Sequence, residues 1–144
     1  MILYLESSAL LAWLLGEPRG AAVRSAVDSA QTVVTSMVTL VESHRALVRA
    51  EHATQISAAD RQRLKGLLAR AQRGWVLMEV SAEVRARVEE PFPVEPLRTL
   101  DALHLATALL FARVYPDLEV ISHDQRLIEN ARALGLGIRP VSGS

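Results

Sequence analysis

The sequence predicts an α/β fold in which a central parallel sheet is covered by helices on both faces. Short apolar runs of strand length alternate with longer segments of helical periodicity, and this alternation is typical of parallel sheets. Two of these runs, at 2–5 and 118–122, lead directly into polar residues that open a helical segment. The 144 residues, about half of them hydrophobic, are expected to form one domain, 1–144, which buries roughly two thirds of its unfolded surface.

The first half of the chain divides into two strands and four helices. Gly16 and Pro18 mark the turn between the first two helices, and a β-branched run favours the second strand. Ser57 as N-cap and Asp60 three residues later approximate a capping box at the start of the fourth helix. The predicted elements are strand 2–5, helix 7–15, helix 19–29, strand 32–35, helix 37–51 and a helix from 57 to about 72.

The second half adds three strands and three helices around a proline-rich connection. The segment 91–96 contains three prolines, which remove backbone donors and exclude a helix, so it is predicted to be a surface connection. Glycines at 135 and 137 end the last helix. The predicted elements are strand 75–80, helix 81–89, helix 99–114, strand 118–122, helix 124–134 and strand 138–141.

Composition narrows the possible functions. The formal net charge is zero, so no overall field attracts a nucleic acid, and a polyanion would have to be held by local arginines or a metal. The absence of cysteine excludes disulfides, zinc thiolates and cysteine nucleophiles, and it suits a reducing compartment, by default the cytoplasm. No apolar stretch reaches the roughly 20 residues of a membrane span, so no membrane association is expected.

Two carboxylates follow predicted strands. Glu6 comes directly after the first strand, and Asp124 follows the fourth. In open parallel sheets, ligands bind outside the carboxyl ends of the strands, where both acids would lie. Asp124 taken alone is equally explained as an ordinary helix N-cap. Glu6 is harder to explain by stability, because it directly follows a strand that is predicted to be buried.

Two further carboxylates lie on helices that can flank these strand ends. Asp101 is the one acid of a helix that is apolar almost all round, so its charge needs compensation. Alternatively, Thr99 caps this helix and Asp101 complements the helix dipole or pairs with His104. Glu42 could similarly form a surface ion pair with Arg45, three residues on. Gathered together without basic partners, the four acids would indicate a metal site.

Other catalytic patterns are not found in the sequence. The four histidines lack the spacing of a metal-binding pair on one helix face, and the chain has no Gly-x-Ser-x-Gly elbow and no glycine-rich phosphate loop. A receiver-type phosphoacceptor domain would need a lysine after a late strand, whereas Lys65 lies in a predicted helix. A haloacid-type phosphatase needs two aspartates flanking one residue after the first strand, and Glu6-Ser7-Ser8 provides neither.

Four parts of the chain carry motifs in a fixed order: 4–10, Glu42, 100–108 and 121–127. Together they resemble the successive motifs of the PIN-domain family, and most closely those of the VapC toxins of bacterial VapBC toxin–antitoxin pairs. The resemblance covers essentially the whole chain. Its most specific part is the Asp-Ala-Leu-His-Leu-Ala-Thr-Ala segment that starts at Asp101.

This resemblance implies a PIN-like fold and a Mg²⁺- or Mn²⁺-dependent endoribonuclease that cuts structured RNA such as tRNA or rRNA. It implies that Glu6, Glu42, Asp101 and Asp124 are the first to fourth acids and hold the metal, while Ser122 supplies a hydroxyl. Oxygen ligands of this kind suit hard divalent cations. The resemblance also implies a homodimer and a VapB-type antitoxin whose C-terminal segment lies in the acidic groove.

Glu6 departs from the resemblance, because the first acid of the family is normally Asp. One extra methylene moves the carboxylate by roughly 1.5 Å, and a misplacement of about 1 Å can cost on the order of 100-fold in rate. The alternative function is therefore a non-catalytic or attenuated PIN scaffold that binds an antitoxin or RNA without cleaving it.

Overall fold

A computed structural model describes residues 1–141 of the chain, which form the predicted α/β fold. Five strands make one parallel sheet in the order β3-β2-β1-β4-β5. The strands are β1 (Ile2–Leu5), β2 (Thr32–Ser36), β3 (Val76–Met78), β4 (Glu119–Ile121) and β5 (Gly137–Ile138).

Seven α-helices surround this sheet in the described part of the chain. They are α1 (Ser7–Leu14), α2 (Gly20–Ser29), α3 (Met37–His52), α4 (Ala58–Ala71), α5 (Ala82–Val88), α6 (Thr99–Val114) and α7 (Gln125–Ala133), with a 3₁₀ turn at Gln72–Gly74. No helix within residues 1–141 has the length and apolar character that crossing a membrane requires.

Strand β1 lies at the centre of the sheet and is buried along its whole length. Its side chains alternate between the two faces, as the pleat of a strand requires. Ile2 and Tyr4 pack with buried residues of α5, α6 and α7 on one face. Leu3 and Leu5 pack with buried residues of α1 to α4 on the other face. The helices therefore cover both faces of the sheet, as predicted.

The strand order reverses between β1 and β4. The chain builds β2 and β3 on one side of β1 and then places β4 and β5 on the other. Leu5 and Ile121 pair at the carboxyl ends of the two strands, and the N–H of Glu6 donates to the carbonyl of Ile121 at 3.2 Å. A crevice at such a reversal is the usual ligand site of open α/β sheets.

Most predicted elements are present with small shifts at their ends, and the capping box of Ser57 and Asp60 is confirmed. Two local predictions are wrong. Thr99 does not cap α6, because it is already the first helical residue and Arg98 takes the N-cap position without a side-chain hydrogen bond. The last strand ends at Ile138 rather than at residue 141, since Pro140 has no N–H with which to continue the ladder.

The proline-rich connection 91–96 forms neither helix nor strand, as predicted. It is tied to the core rather than lying wholly on the surface, because Phe92 is buried in the hydrophobic cluster to which α6 and α7 also contribute. The buried side chain of Asn130, on α7, accepts a hydrogen bond from the N–H of Val94 at 2.8 Å and donates one to its carbonyl at 3.0 Å. Helix α7 thereby holds the segment that leads into α6.

Candidate active site

The four predicted acids line one cleft at the carboxyl edge of the sheet. Glu6 and Asp124 follow β1 and β4, while Glu42 and Asp101 reach the cleft from α3 and α6. The cleft has a volume of about 350 Å³, and among the described residues Arg98 is the one cationic side chain that lines it. The structure thus brings together all four carboxylates, but it adds a basic partner.

Glu6 is almost completely buried, with 3% of its surface exposed. It is the N-cap of α1, and its Oε2 accepts hydrogen bonds from the backbone N–H of Ser8 and from the hydroxyl of Ser7, both at 2.8 Å. Its Oε1 accepts hydrogen bonds from the hydroxyls of Ser8 and Ser122. A carboxylate offers about four acceptor sites, and these four donors use all of them.

Arg98 bridges the two aspartates of the cleft. Its Nη2 lies 3.1 Å from Oδ2 of Asp124, and its Nε lies 3.5 Å from Oδ2 of Asp101. The other oxygen of Asp124 accepts a hydrogen bond from the N–H of Leu127 at 3.1 Å, so Asp124 is also the N-cap of α7. The structural and the functional explanations of Asp124 are therefore compatible, because each uses a different oxygen.

The pKa of the Asp101 carboxyl is raised by burial and by the neighbouring acids. Burial raises the pKa of its carboxyl, and the charges of Asp124 and Glu6 raise it further, while Arg98 acts in the opposite direction. The net shift is upward, so a single guanidinium does not neutralise the cleft. A group that adds positive charge would stabilise the ionised form of Asp101.

Glu42 is held by a histidine rather than by the arginine three residues on. The Nε2 of His104 lies 2.7 Å from Oε1 of Glu42, and its Nδ1 lies 2.9 Å from the hydroxyl of Tyr4. Burial raises the pKa of Tyr4, so the phenol keeps its proton and donates it to Nδ1, which leaves Nε2 as the donor to Glu42. The possible pairs Asp101–His104 and Glu42–Arg45 are not formed among the described residues.

Ser122 connects two of the acids. Its hydroxyl donates to Oε1 of Glu6 and accepts a hydrogen bond from the backbone N–H of Asp124 at 3.0 Å. The side chain is buried, so it fixes the end of β4 against the start of α1. The hydroxyl of Ser122 therefore lies at the predicted site, where it orients the carboxylates of Glu6 and Asp124.

The donor chemistry of the cleft fits a hard divalent cation, because all four acids offer oxygen. The pKa of Asp101 is raised first by burial and then by the charges of Asp124 and Glu6. Within residues 1–141, however, no three His, Asp or Glu side chains are grouped so that they could hold a metal ion together. Glu6 and Glu42 face protein donors, and Arg98 pairs with both aspartates. A cation would have to displace Arg98, whose side chain is 81% exposed and can turn away.

Sequence reasoning missed four participants in this site: Tyr4, Ser7, Ser8 and Arg98. Ser7 donates to Glu6 and also lies 3.2 Å from Oε1 of Glu42. Arg98 could have been found from its spacing, because it precedes Asp101 by three residues and meets it across the first turn of α6. Tyr4 gave no such signal, since its partner lies 100 residues away along the chain.

Comparison with known proteins gives a consistent family assignment. The model of the PIN domain family matches residues 3–133. Ribonuclease VapC35 of Mycobacterium tuberculosis is 34% identical over 139 residues, which cover 95% of each chain. Most of the present chain therefore aligns with this relative.

Two solved structures share the fold at low sequence identity. One is VapBC2 from Rickettsia felis bound to a DNA fragment from its promoter, with a TM-score of 0.63, 12% identity and coverage of 96% of this chain and 98% of that one. The other is a toxin–antitoxin complex from Klebsiella pneumoniae, with a TM-score of 0.60, 16% identity and coverage of 99% of both chains. The chain belongs to the PIN-domain family, within its VapC group.

Proposed function

We propose that this protein is the toxin of a type II toxin–antitoxin pair and acts as a Mg²⁺- or Mn²⁺-dependent endoribonuclease on structured RNA such as tRNA or rRNA. The observation that carries the proposal is the cleft in which Glu6, Glu42, Asp101 and Asp124 meet at the reversal of strand order. VapC35 is a named ribonuclease, and it aligns over nearly the whole chain. We place the protein in the cytoplasm, where such RNA is found.

In this proposal the four acids would hold the cation, with Asp101 and Asp124 taking it once Arg98 has moved aside. When bound, a divalent cation lowers the pKa of an attacking water and stabilises the charge that develops on the phosphate. His104 keeps the carboxylate of Glu42 turned toward the cleft. Arg98, at the exposed mouth, can then pair with a phosphate oxygen of the RNA, because a guanidinium binds phosphate as readily as carboxylate.

The proposed partners are a VapB-type antitoxin and a second copy of this chain. A solved toxin–antitoxin complex with the same fold supports the first partner. An antitoxin segment that carries a basic side chain could satisfy the same carboxylates that Arg98 pairs with in this structure, which would hold the toxin inactive. Analytical ultracentrifugation of the isolated protein tests the homodimer.

A specific observation favours a second candidate, the attenuated or non-catalytic scaffold. The carboxylate of Glu6 has all of its acceptor sites engaged by protein donors. It would have to release at least one serine before it could bind a cation. An aspartate at this position has a shorter side chain, which would withdraw its oxygens from Ser122 while still capping α1.

The test is cleavage of total tRNA by the antitoxin-free protein, with Mg²⁺ or Mn²⁺ and with chelator as the blank. We expect Asp101→Asn to reduce cleavage to the level of the blank, because the amide removes a negative ligand from the cation. We expect Glu6→Asp to raise cleavage by up to about 100-fold, the scale of a misplacement of one ångström.

Asp28→Asn is the matched control, because this substitution makes the same chemical change at an exposed residue of α2. Full activity of Asp101→Asn, or cleavage that survives the chelator, would contradict the nuclease proposal. Inactivity of the parent protein and of Glu6→Asp on several RNAs and metals would favour the scaffold.

A further inference from the structure

A small basic pocket lies beside the acidic cleft. It has a volume of about 210 Å³, and the charged or titratable side chains that line it are Arg19, His123, Arg132 and Arg139. Within residues 1–141, no carboxylate lines it. We call it the basic pocket, defined by these four residues.

Each arginine of the basic pocket comes from a different part of the fold. Arg19 precedes α2, Arg132 lies in the last turn of α7, and Arg139 follows β5. The backbone N–H of Arg139 donates to the carbonyl of Val120 at 2.9 Å, which fixes this residue against β4. Three distant stretches of sequence thus converge on one small volume.

These arginines have no anionic partner in the described part of the chain. None of the three forms an ion pair or a side-chain hydrogen bond with another residue of 1–141. The chain as a whole has no net positive charge, so this cluster is a local departure from its average. Bringing like charges together costs free energy unless an anion is bound between them.

His123, which also lines the basic pocket, carries a polar atom without a partner among the described residues. Its Nε2 is buried and has no hydrogen-bond partner within residues 1–141, and buried polar atoms without partners are rare in folded proteins.

A three-residue segment separates the basic pocket from the acidic cleft. Ser122 and His123 line the basic pocket, whereas Asp124 lines the cleft. The N–H of His123 donates to the hydroxyl of Ser8 at 2.9 Å, and Ser8 also bonds Glu6. A nucleic-acid strand that places one phosphate at the acids could therefore place a neighbouring phosphate at the basic pocket.

We propose that the basic pocket binds a backbone phosphate of the RNA, adjacent to the phosphate at the acidic cleft; the inference rests on the proposed function for the identity of the ligand. Guanidinium groups bind phosphate oxygens in a two-point geometry that suits a cluster of arginines. With a net charge of zero, the protein depends on such local contacts to hold a polyanion beside four carboxylates. The pocket supplies affinity and register for the strand, not base specificity.

The test measures binding of fluorescently labelled total tRNA in chelator, where cleavage is blocked, over a series of salt concentrations. We expect Arg19→Gln, Arg132→Gln and Arg139→Gln each to weaken binding roughly fivefold and to reduce the slope of log affinity against log salt by about 0.7. The triple variant should lose about 2 from this slope. Arg24→Gln is the control, since Arg24 is an exposed arginine that already pairs with Asp28.

Glu17→Gln provides a variant with the opposite expectation. This variant removes a negative charge two residues before Arg19, so it should tighten tRNA binding. Titration with inorganic phosphate alone shows whether the pocket also binds a free anion. The RNA site is supported by weaker tRNA binding in the triple variant, whether or not free phosphate binds.

If the triple variant binds tRNA with the affinity and salt slope of Arg24→Gln, the proposal is overturned, whatever the cleavage assay gives. If the parent protein cleaves no RNA but its tRNA binding depends on the three arginines, the proposed nuclease function fails while the phosphate site stands. The two proposals therefore fail separately.

Discussion

The guanidinium of Arg98 lies between Asp101 and Asp124 and contacts both, at 3.5 Å and 3.1 Å. Both aspartates are proposed ligands of a divalent cation, so the arginine occupies the position of a resident positive charge. Because its side chain is largely exposed, this charge can leave without disturbing the core. Arg98 and an incoming cation therefore compete for the same two carboxylates.

Removal of the guanidinium should favour metal binding. We expect Arg98→Gln to raise the affinity for Mn²⁺ by at most about fivefold, because an exposed ion pair contributes no more than about 1 kcal/mol. It should also raise the pKa of Asp101 further, since Arg98 opposes the upward shift. Isothermal titration with Mn²⁺ measures the affinity, and Arg113→Gln, at the exposed pair with Glu83, is the control. Equal Mn²⁺ affinity in both variants would exclude the competition.

Asp101 should reduce the stability of the metal-free fold at neutral pH. Its pKa in the folded protein lies above the ordinary value of 3.8, so between these two values the folded state binds more protons than the unfolded chain does. The free energy of unfolding therefore falls as pH rises through this window. We expect Asp101→Asn to be more stable than the parent by on the order of 1 kcal/mol at pH 7, with the difference shrinking toward pH 4.

Urea unfolding at the two pH values, in chelator, measures this effect. The pH dependence is the critical readout, because loss of the ion pair with Arg98 acts in the opposite direction. A variant that is less stable than the parent at pH 7 would mean that the Arg98 pair outweighs burial and repulsion by the other acids.

Divalent metal should stabilise the folded protein by mass action. A ligand that binds only the folded state at 100 times its dissociation constant adds about 2.7 kcal/mol to the free energy of unfolding. We expect thermal melts to shift upward in millimolar Mg²⁺ or Mn²⁺ and to return in chelator. Asp124→Asn should lose most of this shift, while Asp28→Asn should keep it. No shift in the parent together with a shift in Glu6→Asp would locate the defect at the first acid.

The hydrogen bond from the hydroxyl of Tyr4 to His104 should stabilise the folded protein. Tyr4→Phe leaves the buried Nδ1 of His104 without its donor, and an unsatisfied buried acceptor costs about 1–3 kcal/mol. We expect the free energy of unfolding to fall by this amount in urea titrations. Tyr115→Phe is the matched control, because the hydroxyl of Tyr115 makes no side-chain hydrogen bond within the described residues. A similar loss in both variants would show that the effect is not specific to His104.

The sequence allowed the sheet, the helices on both faces and the meeting of Glu6 with Asp124 to be predicted, because apolar runs and the acids that follow them are local patterns. The partners of the acids could not be predicted in the same way. Glu42 pairs with His104, which lies 62 residues away along the chain, and not with Arg45. Arg98 pairs with Asp124, which lies 26 residues away. Such choices depend on how helices pack, which periodicity does not specify.

Each of the three residues from Ser122 to Asp124 has its own structural role. They serve Glu6, the basic pocket and the acidic cleft in turn. Loops at a protein surface usually tolerate added residues at little thermodynamic cost, but one residue more or less here would break the hydrogen bonds that join Ser122 to Glu6 and to the N–H of Asp124. Variation in chain length should therefore accumulate elsewhere, for example in the exposed turn around Gln55, and spare the link between β4 and α7.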